Sequence, residues 1–274
     1  MALIIGLDIG GTTTKIVGFE EGNLFGFVRV VASDAFTSAS GGLGKFLNVT
    51  GKRLQDVEKI HATGVGASQL SEDLFDCPTQ IMPEFDCVGL GGLYLSGLDR
   101  AIVVSMGTGT SIVAARGRQV AHVIGSGVGG GTLQGLAERM LNVHGFETIA
   151  FMADQGDLSM VDLTVGDITS AEIPGLTADA TASNFGKLKD LAQPQDLAAG
   201  IVNLVFQSIG TASVLAARLQ NLNRVVITGN LSQIALGKRV LDGFSKLYSL
   251  DFIIPERAEF ATAVGASIIA SVNN

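Results

Sequence analysis

The sequence predicts an α/β fold that is built from two similar halves. Two short apolar runs flank a Gly/Thr turn around Gly10, and the same arrangement recurs around Gly107. Each pair of runs predicts a β-hairpin, and each hairpin opens a run of three strands that is followed by helices. Because a supersecondary pattern that occurs twice indicates an internal duplication, we expect two lobes with related topologies.

The composition is typical of a soluble globular chain. The chain has 274 residues, enough for two modest domains, with 47% hydrophobic and 16% charged residues. The net charge of −8 argues against a nucleic-acid surface, and the absence of Trp argues against a base-stacking platform. An acidic chain that binds an anion needs backbone amides, a metal ion or a few cations at the site.

The cysteines and the N-terminus bear on the cellular compartment. Cys77 and Cys87 are the only cysteines. Their spacing fits no zinc or iron–sulfur pattern, and two cysteines are too few for a disulfide scaffold, so we expect free thiols in a reducing cytoplasm. The N-terminus lacks a basic region followed by an apolar core, so no signal peptide is predicted.

The first hairpin has an unusual turn. Apolar runs at residues 2–5 and 16–19 flank the stretch Gly6–Lys15, which holds paired glycines and three threonines. Glycines allow a ligand to approach the backbone closely, and successive amides with hydroxyls form a phosphate-sized concavity. Asp8, at the end of a buried strand, is placed to hold a metal ion or an ordered water. The stretch therefore predicts a turn that binds the phosphates of a nucleoside triphosphate. The alternative is a tight hairpin that needs glycine only for its turn.

The elements that follow continue the first half. We expect a strand at 24–32, a helix over the second half of 35–52 and a strand at 58–63. This last strand ends in Gly64-Val65-Gly66, which predicts a loop at the carboxyl edge of a sheet, where open α/β sheets bind ligands. His61 lies in the middle of the strand, and we expect it to be a structural histidine.

Glu84 and Asp86 follow Pro83 and precede an apolar helix at 88–98. In an extended backbone the two carboxylates would point to the same side. One interpretation is that the pair caps the N-terminus of the helix. The other is that a carboxylate at the start of the helix faces a cleft and acts as a general base.

The second half repeats the design. Strands are predicted at 101–105, 112–115 and 119–124, with the turn 106–111 between the first two. The glycine-rich loop 125–132 then opens a helix that runs to about Asn142. Such a loop at a helix N-terminus predicts an anion site, although it matches neither a P-loop nor a dinucleotide fingerprint.

The C-terminal part contains one long apolar helix. Residues 146–190 predict short helices and loops, and 195–220 a helix without charge over 197–217. That length could cross a bilayer, but a helix apolar over most of its circumference favours a buried core helix that also lies at a subunit interface. We then expect a strand at 224–228, a helix at 233–248, a strand at 252–254 and a small-residue helix at 261–270.

Together these pieces resemble the superfamily of acetate and sugar kinases, heat-shock chaperone ATPases and actin. The resemblance implies a two-lobed, duplicated ribonuclease-H-like fold with ATP between the lobes. It assigns residues 1–99 with 258–274 to the N-terminal lobe and 100–257 to the C-terminal lobe. In this superfamily the first hairpin and its Asp handle the β- and γ-phosphates and the metal, the second hairpin handles the other phosphates, and a late Gly motif borders adenosine.

A closer resemblance rests on five motifs. Asp8–Thr12, Pro83–Asp86, Met106–Ser111, Gly129–Leu136 and Thr181–Gly186 resemble the type II pantothenate kinases of bacteria. The resemblance spans nearly the whole chain. It implies an enzyme, a phosphotransferase with an alcohol group as acceptor, which phosphorylates the primary hydroxyl of pantothenate with MgATP in the first step toward coenzyme A. It also implies a cytoplasmic homodimer with no nucleic-acid or membrane partner.

The resemblance assigns roles to residues. Glu84 matches the catalytic carboxylate, and Asp8 would orient Mg²⁺ through water. His122 occupies the position of an arginine that contacts pantothenate in the family, and Ser183 and Asn184 belong to the last substrate motif. The nucleotide-binding set implied is Gly10, Gly11, Thr12, Lys15, Gly107, Thr108, Gly109, Thr110, Gly129, Gly130, Gly131, Gly229 and Asn230.

The residues leave several alternatives open. Lys15 either adds positive charge near the phosphates or is a surface lysine at a strand end. Because a histidine replaces the arginine, a kinase of the same fold that acts on another small hydroxylated substrate is a second interpretation. An ATP-binding regulatory protein without transfer chemistry is a third. Reductive-dehydratase activators of the superfamily need cluster-binding cysteines, which Cys77 and Cys87 do not suit.

Overall fold

The computed structural model describes residues 3–70 and 73–269. Ala2 of the first predicted strand, Ala270 of the last predicted helix and residues 271–274 of the N-terminal lobe lie outside the described residues.

The first half forms a five-stranded mixed sheet. Its strands are β1 (Leu3–Ile9), β2 (Thr13–Glu20), β3 (Asn23–Val31), β4 (Val57–Thr63) and β5 (Thr79–Ile81), in the order β3-β2-β1-β4-β5. β1, β2 and β3 are antiparallel neighbours, whereas β4 and β5 run parallel to β1. The predicted hairpin and the strands after it are therefore confirmed.

The second half repeats this topology. Strands β6 (Arg100–Met106), β7 (Thr110–Arg116) and β8 (Gln119–Ser126) are antiparallel. After β9 (Leu163–Thr164) and β10 (Thr181–Ser183), which pair separately as a small sheet, β11 (Arg224–Thr228) and β12 (Asp251–Ile253) complete the order β12-β11-β6-β7-β8. Both large sheets thus share one strand arrangement, as the duplication predicts. The small sheet corrects the expectation of only helices and loops in 146–190, and the exact lobe boundaries stay a prediction.

Eight α-helices connect or cover the strands of the described chain. Two begin earlier than the sequence indicates: the first starts at Ala35 because the Asp34 carboxylate accepts a hydrogen bond from the Thr37 amide, and the second starts at Glu84 rather than Val88. In chain order they are α1 (Ala35–Thr50), α2 (Glu84–Ser96), α3 (Gly130–Leu141), α4 (Phe146–Gln155), α5 (Val165–Ile168), α6 (Pro194–Leu219), α7 (Ala235–Tyr248) and α8 (Ala261–Ile268).

Helix α6 forms the centre of the second core. By length and composition it is the one helix among the described residues that could cross a membrane, but 67% of its most apolar window is buried inside the protein. Buried side chains such as Phe206 and Ile209 pack with β6 and β11 residues in one cluster. This burial is that of a core helix, as the breadth of its apolar surface predicts.

Three glycines let α2, α8 and β1 meet backbone to backbone. A Cβ on Gly91 would lie 1.8 Å from the carbonyl oxygen of Ala261, and one on Gly265 would lie 1.9 Å from that of Cys87. A Cβ on Gly6 would lie 2.0 Å from the carbonyl oxygen of Ala263. The small-residue helix at the end of the chain therefore holds α2 against the first sheet, which confirms the close packing that its composition predicts.

Both cysteines are free and buried, as expected from their number. Burial raises the pKa of the Cys87 thiol to about 12. Burial also raises the pKa of Cys77, and the negative charges of Asp76 and Asp73 act in the same direction. Because the thiolate is the reactive form, both thiols are poor nucleophiles at neutral pH.

Candidate active site

Asp8 and Lys15 form an ion pair at the carboxyl end of β1. They are direct partners in the β1–β2 register, and the Lys15 Nζ lies 3.4 Å from the Asp8 Oδ2. Only 8% of Asp8 and 7% of Lys15 is exposed, so the interpretation of Lys15 as a surface lysine is wrong. A buried pair of this kind is strongly destabilised when one partner is removed.

Glu84 is the first residue of α2, and strand β4 fixes the entry of that helix. The Met82 amide donates to the Ala62 carbonyl oxygen at 2.8 Å, and the Thr63 hydroxyl donates to the Met82 carbonyl oxygen at 3.0 Å. Helical geometry therefore replaces the extended pair that Glu84 and Asp86 would form in a strand. Neither carboxylate has a hydrogen-bond partner among the described residues, so neither caps the helix by a side-chain bond.

The surroundings of Glu84 tune its basicity. Its side chain is open to solvent on one side, but desolvation by the protein around it raises the pKa of its carboxyl above the usual 4.5. The negative charge of Asp8 raises this pKa further, and the positive charge of Lys15 lowers it. A carboxylate with a raised pKa is a better proton acceptor near neutral pH than an ordinary surface glutamate.

The glycine turns of the two hairpins face each other. We call Gly10–Thr12 turn A and Gly107–Gly109 turn B. A Cβ on Gly11 would contact the Thr108 hydroxyl oxygen at 3.5 Å. Asn230, which follows β11, donates from Nδ2 to the Thr13 hydroxyl at 3.2 Å. The late motif of the second half therefore contacts the first hairpin directly.

The glycines at the start of α3 hold turn B. The Gly130 amide donates to the Gly107 carbonyl oxygen and the Gly131 amide to that of Thr108, both at 2.8 Å. A Cβ on Gly129 would lie 2.7 Å from the Thr108 carbonyl oxygen, so only glycine permits this approach. These two amides are therefore bonded to turn B and are not available to an anion, and the anion site predicted at the N-terminus of α3 stays a prediction.

A cavity of about 400 Å³ lies between turns A and B. We call it the inter-turn cavity. Residues of both halves form its wall: Thr12, Thr13, Arg29, Val30, Val31, Gly107, Thr108, Gly130, Gln134, Phe146, Glu147, Asn230 and Leu231. The buried Oδ1 of Asn230 has no hydrogen-bond partner within the described part of the chain, so an acceptor remains available there. The threonine hydroxyls, the amides of the turns and this acceptor fit a nucleotide with its phosphates.

The structure brings some of the predicted nucleotide-binding residues together and adds others. Thr12, Gly107, Thr108, Gly130 and Asn230 lie on the cavity wall. Arg29, Gln134, Phe146 and Glu147 also line it, and the sequence interpretation missed them. The remaining predicted residues belong to the adjoining strands, turns or helix start without lining the cavity: Gly10, Gly11, Lys15, Gly109, Thr110, Gly129, Gly131 and Gly229.

His122 lies beside the start of α2. Its imidazole stacks on the Phe85 ring with a centroid separation of 4.3 Å and an interplanar angle of 18°. Both residues are exposed, and Phe85 directly follows Glu84. The residue that the sequence assigns to the acceptor thus contacts the residue that follows the candidate base in the chain.

Ser183 and Asn184 lie elsewhere in the second half. Asp162, with 1% exposure, accepts hydrogen bonds from Asn184 Nδ2 at 3.5 Å, the Phe185 amide at 2.8 Å and Asn203 Nδ2 at 2.6 Å. Asp162 therefore ties this loop to α6. Among the described contacts, none joins Ser183 or Asn184 to Glu84, Phe85 or His122, so the structure does not bring these candidate substrate residues together.

Comparisons with known proteins decide the family. The Fumble family model matches residues 100–249, and the model of the BadF/BadG/BcrA/BcrD ATPase family matches residues 5–160. A type II pantothenate kinase of Staphylococcus aureus strain USA300 is 30% identical over 272 residues, which cover 96% of this chain and 97% of that relative. The chain belongs to the type II pantothenate kinase family. This confirms the resemblance seen in its five motifs.

Solved structures show the fold of this pantothenate kinase family member. An activator of the 2-hydroxyisocaproyl-CoA dehydratase from Clostridium difficile, with bound ADPNP, has a TM-score of 0.72 at 19% identity, covering 99% of this chain and 96% of that one. A ROK family glucokinase from Streptomyces griseus, with glucose and AMPPNP, has a TM-score of 0.63 at 13% identity, covering 97% and 98%. These likenesses confirm the two-lobed kinase and ATPase fold.

Proposed function

We propose that this chain transfers the γ-phosphoryl group of ATP to the primary hydroxyl of pantothenate, the first step of coenzyme A biosynthesis. The observation that supports this most strongly is the position of Glu84, a carboxylate with a raised pKa beside the Asp8–Lys15 pair. Family membership supports the nucleotide and the acceptor.

The residues have complementary roles in this proposal. Glu84 accepts the proton of the acceptor hydroxyl as the new P–O bond forms and the bond to the ADP oxygen breaks. Amides and hydroxyls of turns A and B donate to phosphate oxygens, and Lys15 adds positive charge. Asp8 would hold Mg²⁺ through water, and the ion would neutralise charge on the phosphates.

The Phe85–His122 stack is the proposed wall of the acceptor site. It lies at the start of α2, whose first residue is Glu84, and in this proposal an acceptor whose hydroxyl meets the base also contacts these rings. An imidazole cannot form the two-pronged contact of a guanidinium. This difference favours, as the second candidate function, transfer to another small hydroxylated molecule. Ser183 and Asn184 remain proposed substrate residues without a contact to this wall.

Pantothenate-dependent turnover is the expected result of the direct test. The purified chain, ATP, Mg²⁺ and pantothenate should release ADP together with phosphorylated pantothenate, identified by mass spectrometry. The matched control omits the acceptor. Turnover with other hydroxylated acceptors but not with pantothenate would contradict the proposal and favour the second candidate. ADP binding without any phosphorylated product would favour a regulatory protein.

We also propose that the chain forms a homodimer in the cytoplasm. Helix α6 leaves Leu215 and Leu219 exposed by 61% and 71% on one face, which suits a contact with a second copy. Sedimentation should show a dimer, and Leu215→Glu should shift it toward the monomer. A monomeric wild type would contradict this assignment. The two free buried cysteines support a reducing compartment, and recovery of the chain from the periplasm in cell fractionation would contradict it.

A further inference from the structure

We propose that Arg29 is a cationic contact for the nucleotide's polyphosphate and that Glu147 competes with the phosphates for it. The inference deepens the proposed function, since it rests on ATP as the nucleotide. It adds a specificity-determining residue that none of the five sequence motifs contains.

The register of the first sheet aligns Arg29 with the candidate active site. Lys15 is the direct partner of Asp8 on one side and of Arg29 on the other. Directly opposed residues of antiparallel strands project from the same face of a sheet, with strands about 4.8 Å apart. The three side chains therefore form one row on the face that adjoins the inter-turn cavity.

The charge balance of the cavity also favours this role. Among the described residues on the cavity wall, Arg29 is the only one with a positive charge. Lys15 is already paired with Asp8, and the whole chain has a net charge of −8. Arg29 is therefore placed on the cavity wall to offset part of the charge of a polyphosphate, and its planar guanidinium matches phosphate oxygens in two-pronged hydrogen bonds.

Glu147 holds Arg29 only weakly. The Arg29 Nη2 lies 3.5 Å from the Glu147 Oε1, and 42% and 76% of the two side chains are exposed. Exposed ion pairs of this length contribute little to stability, so phosphate oxygens can replace the carboxylate. Glu147 reaches the same cavity from α4 of the second half, and its negative charge repels the phosphates.

The alternative role for this pair is a clamp between the two halves. The two roles predict different signs for the change in nucleotide affinity when each charge is removed. If Arg29 contacts phosphate, removal of its charge weakens nucleotide binding, whereas removal of the Glu147 charge strengthens it. If the pair only clamps the halves together, either change removes the same contact and both shift binding in the same direction.

Calorimetric binding of ADP and adenosine to the full chain, at fixed ionic strength, separates these outcomes. We expect Arg29→Gln to bind ADP about tenfold more weakly, as for loss of a charged hydrogen bond, and Glu147→Gln to bind it about twofold more tightly. Adenosine, which lacks phosphates, should bind all variants equally. Lys45→Gln is the matched control: Lys45 is exposed and its Nζ lies 3.4 Å from the Arg29 carbonyl oxygen, but it does not line the cavity.

Three results would overturn the inference: wild-type affinity of Arg29→Gln for ADP, weaker binding by both variants, or an equal loss of adenosine affinity. Weaker ADP binding by Lys45→Gln of the same size would also overturn it, because the effect would then follow net charge alone. Failure of the proposed function would be seen separately, as a wild type that binds ADP but does not phosphorylate pantothenate. The binding comparison of the Arg29 and Glu147 variants can still be made with such a protein.

Discussion

Replacing Glu84 by glutamine is expected to lower kcat for phosphoryl transfer by a factor of about 100 to 10,000, the range for loss of a general base. The amide keeps the shape of the side chain but cannot accept the hydroxyl proton. ADP affinity should stay at the wild-type value because Glu84 does not line the inter-turn cavity. Steady-state kinetics and calorimetry on the same preparation measure the two effects.

Asp86→Asn is the matched control for Glu84→Gln. Asp86 lies in the same first turn of α2. Asp86→Asn therefore removes one negative charge from the helix N-terminus, as Glu84→Gln does, and kcat should change by less than about threefold. In the wild type, kcat/KM should fall as the pH decreases through the raised pKa of Glu84, so the acid limb should lie above the 4.5 of an ordinary glutamate. An acid limb at or below that value, or equal losses in the two variants, would exclude Glu84 as the base.

Gly91→Ala is expected to destabilise the chain strongly. The new methyl group would lie 1.8 Å from the Ala261 carbonyl oxygen, so α2 and α8 must separate. Overpacking of this kind costs about 1 to 3 kcal/mol, and more where a backbone atom must move. Each kcal/mol should lower Tm by about 2–4 °C in a domain of this size. Thermal unfolding followed by circular dichroism measures the loss.

Gly44→Ala provides the control for this substitution. Gly44 is helical in α1, and a Cβ there would meet no heavy atom of residues 3–70 or 73–269 within 4 Å. Its replacement should leave the free energy of unfolding unchanged or raise it by about 0.4–1 kcal/mol, because alanine lowers the conformational entropy of the unfolded chain. Equal melting temperatures for the two variants would contradict the packing argument. Activity should fall only in Gly91→Ala, because α2 also positions Glu84.

The features that local sequence determines were predicted well. The Gly/Thr turns of both hairpins are short-range signals, since the strands on each side are adjacent in the chain. Their repetition was enough to predict two sheets of one topology. The catalytic role of Glu84 rests on its motif and stays a prediction. The helix after Pro83 is present, but it begins at Glu84 and not at Val88.

Features that depend on distant contacts were not predictable from local patterns. The burial of Lys15 depends on its pairing with Asp8. The Gly130 amide is occupied because it donates to the Gly107 carbonyl oxygen of turn B. Arg29 and Glu147 meet although 118 residues separate them in the chain. Alternation along β3 could have indicated Arg29 as a neighbour of Lys15, but only with the strand register known. Composition gave no sign that Asp162 anchors the loop containing Asn184.

The two buried cysteines have a practical consequence for measuring motion. With both native thiols protonated and enclosed, a cysteine introduced at an exposed position would be the only fast-reacting site for maleimide or spin-label chemistry. Val49 and Phe151, which are 65% and 69% exposed, lie on α1 of the first half and on α4 of the second half, away from the residues that line the inter-turn cavity. The distance between labels at these two positions can be measured with and without nucleotide, and the native cysteines need not be removed.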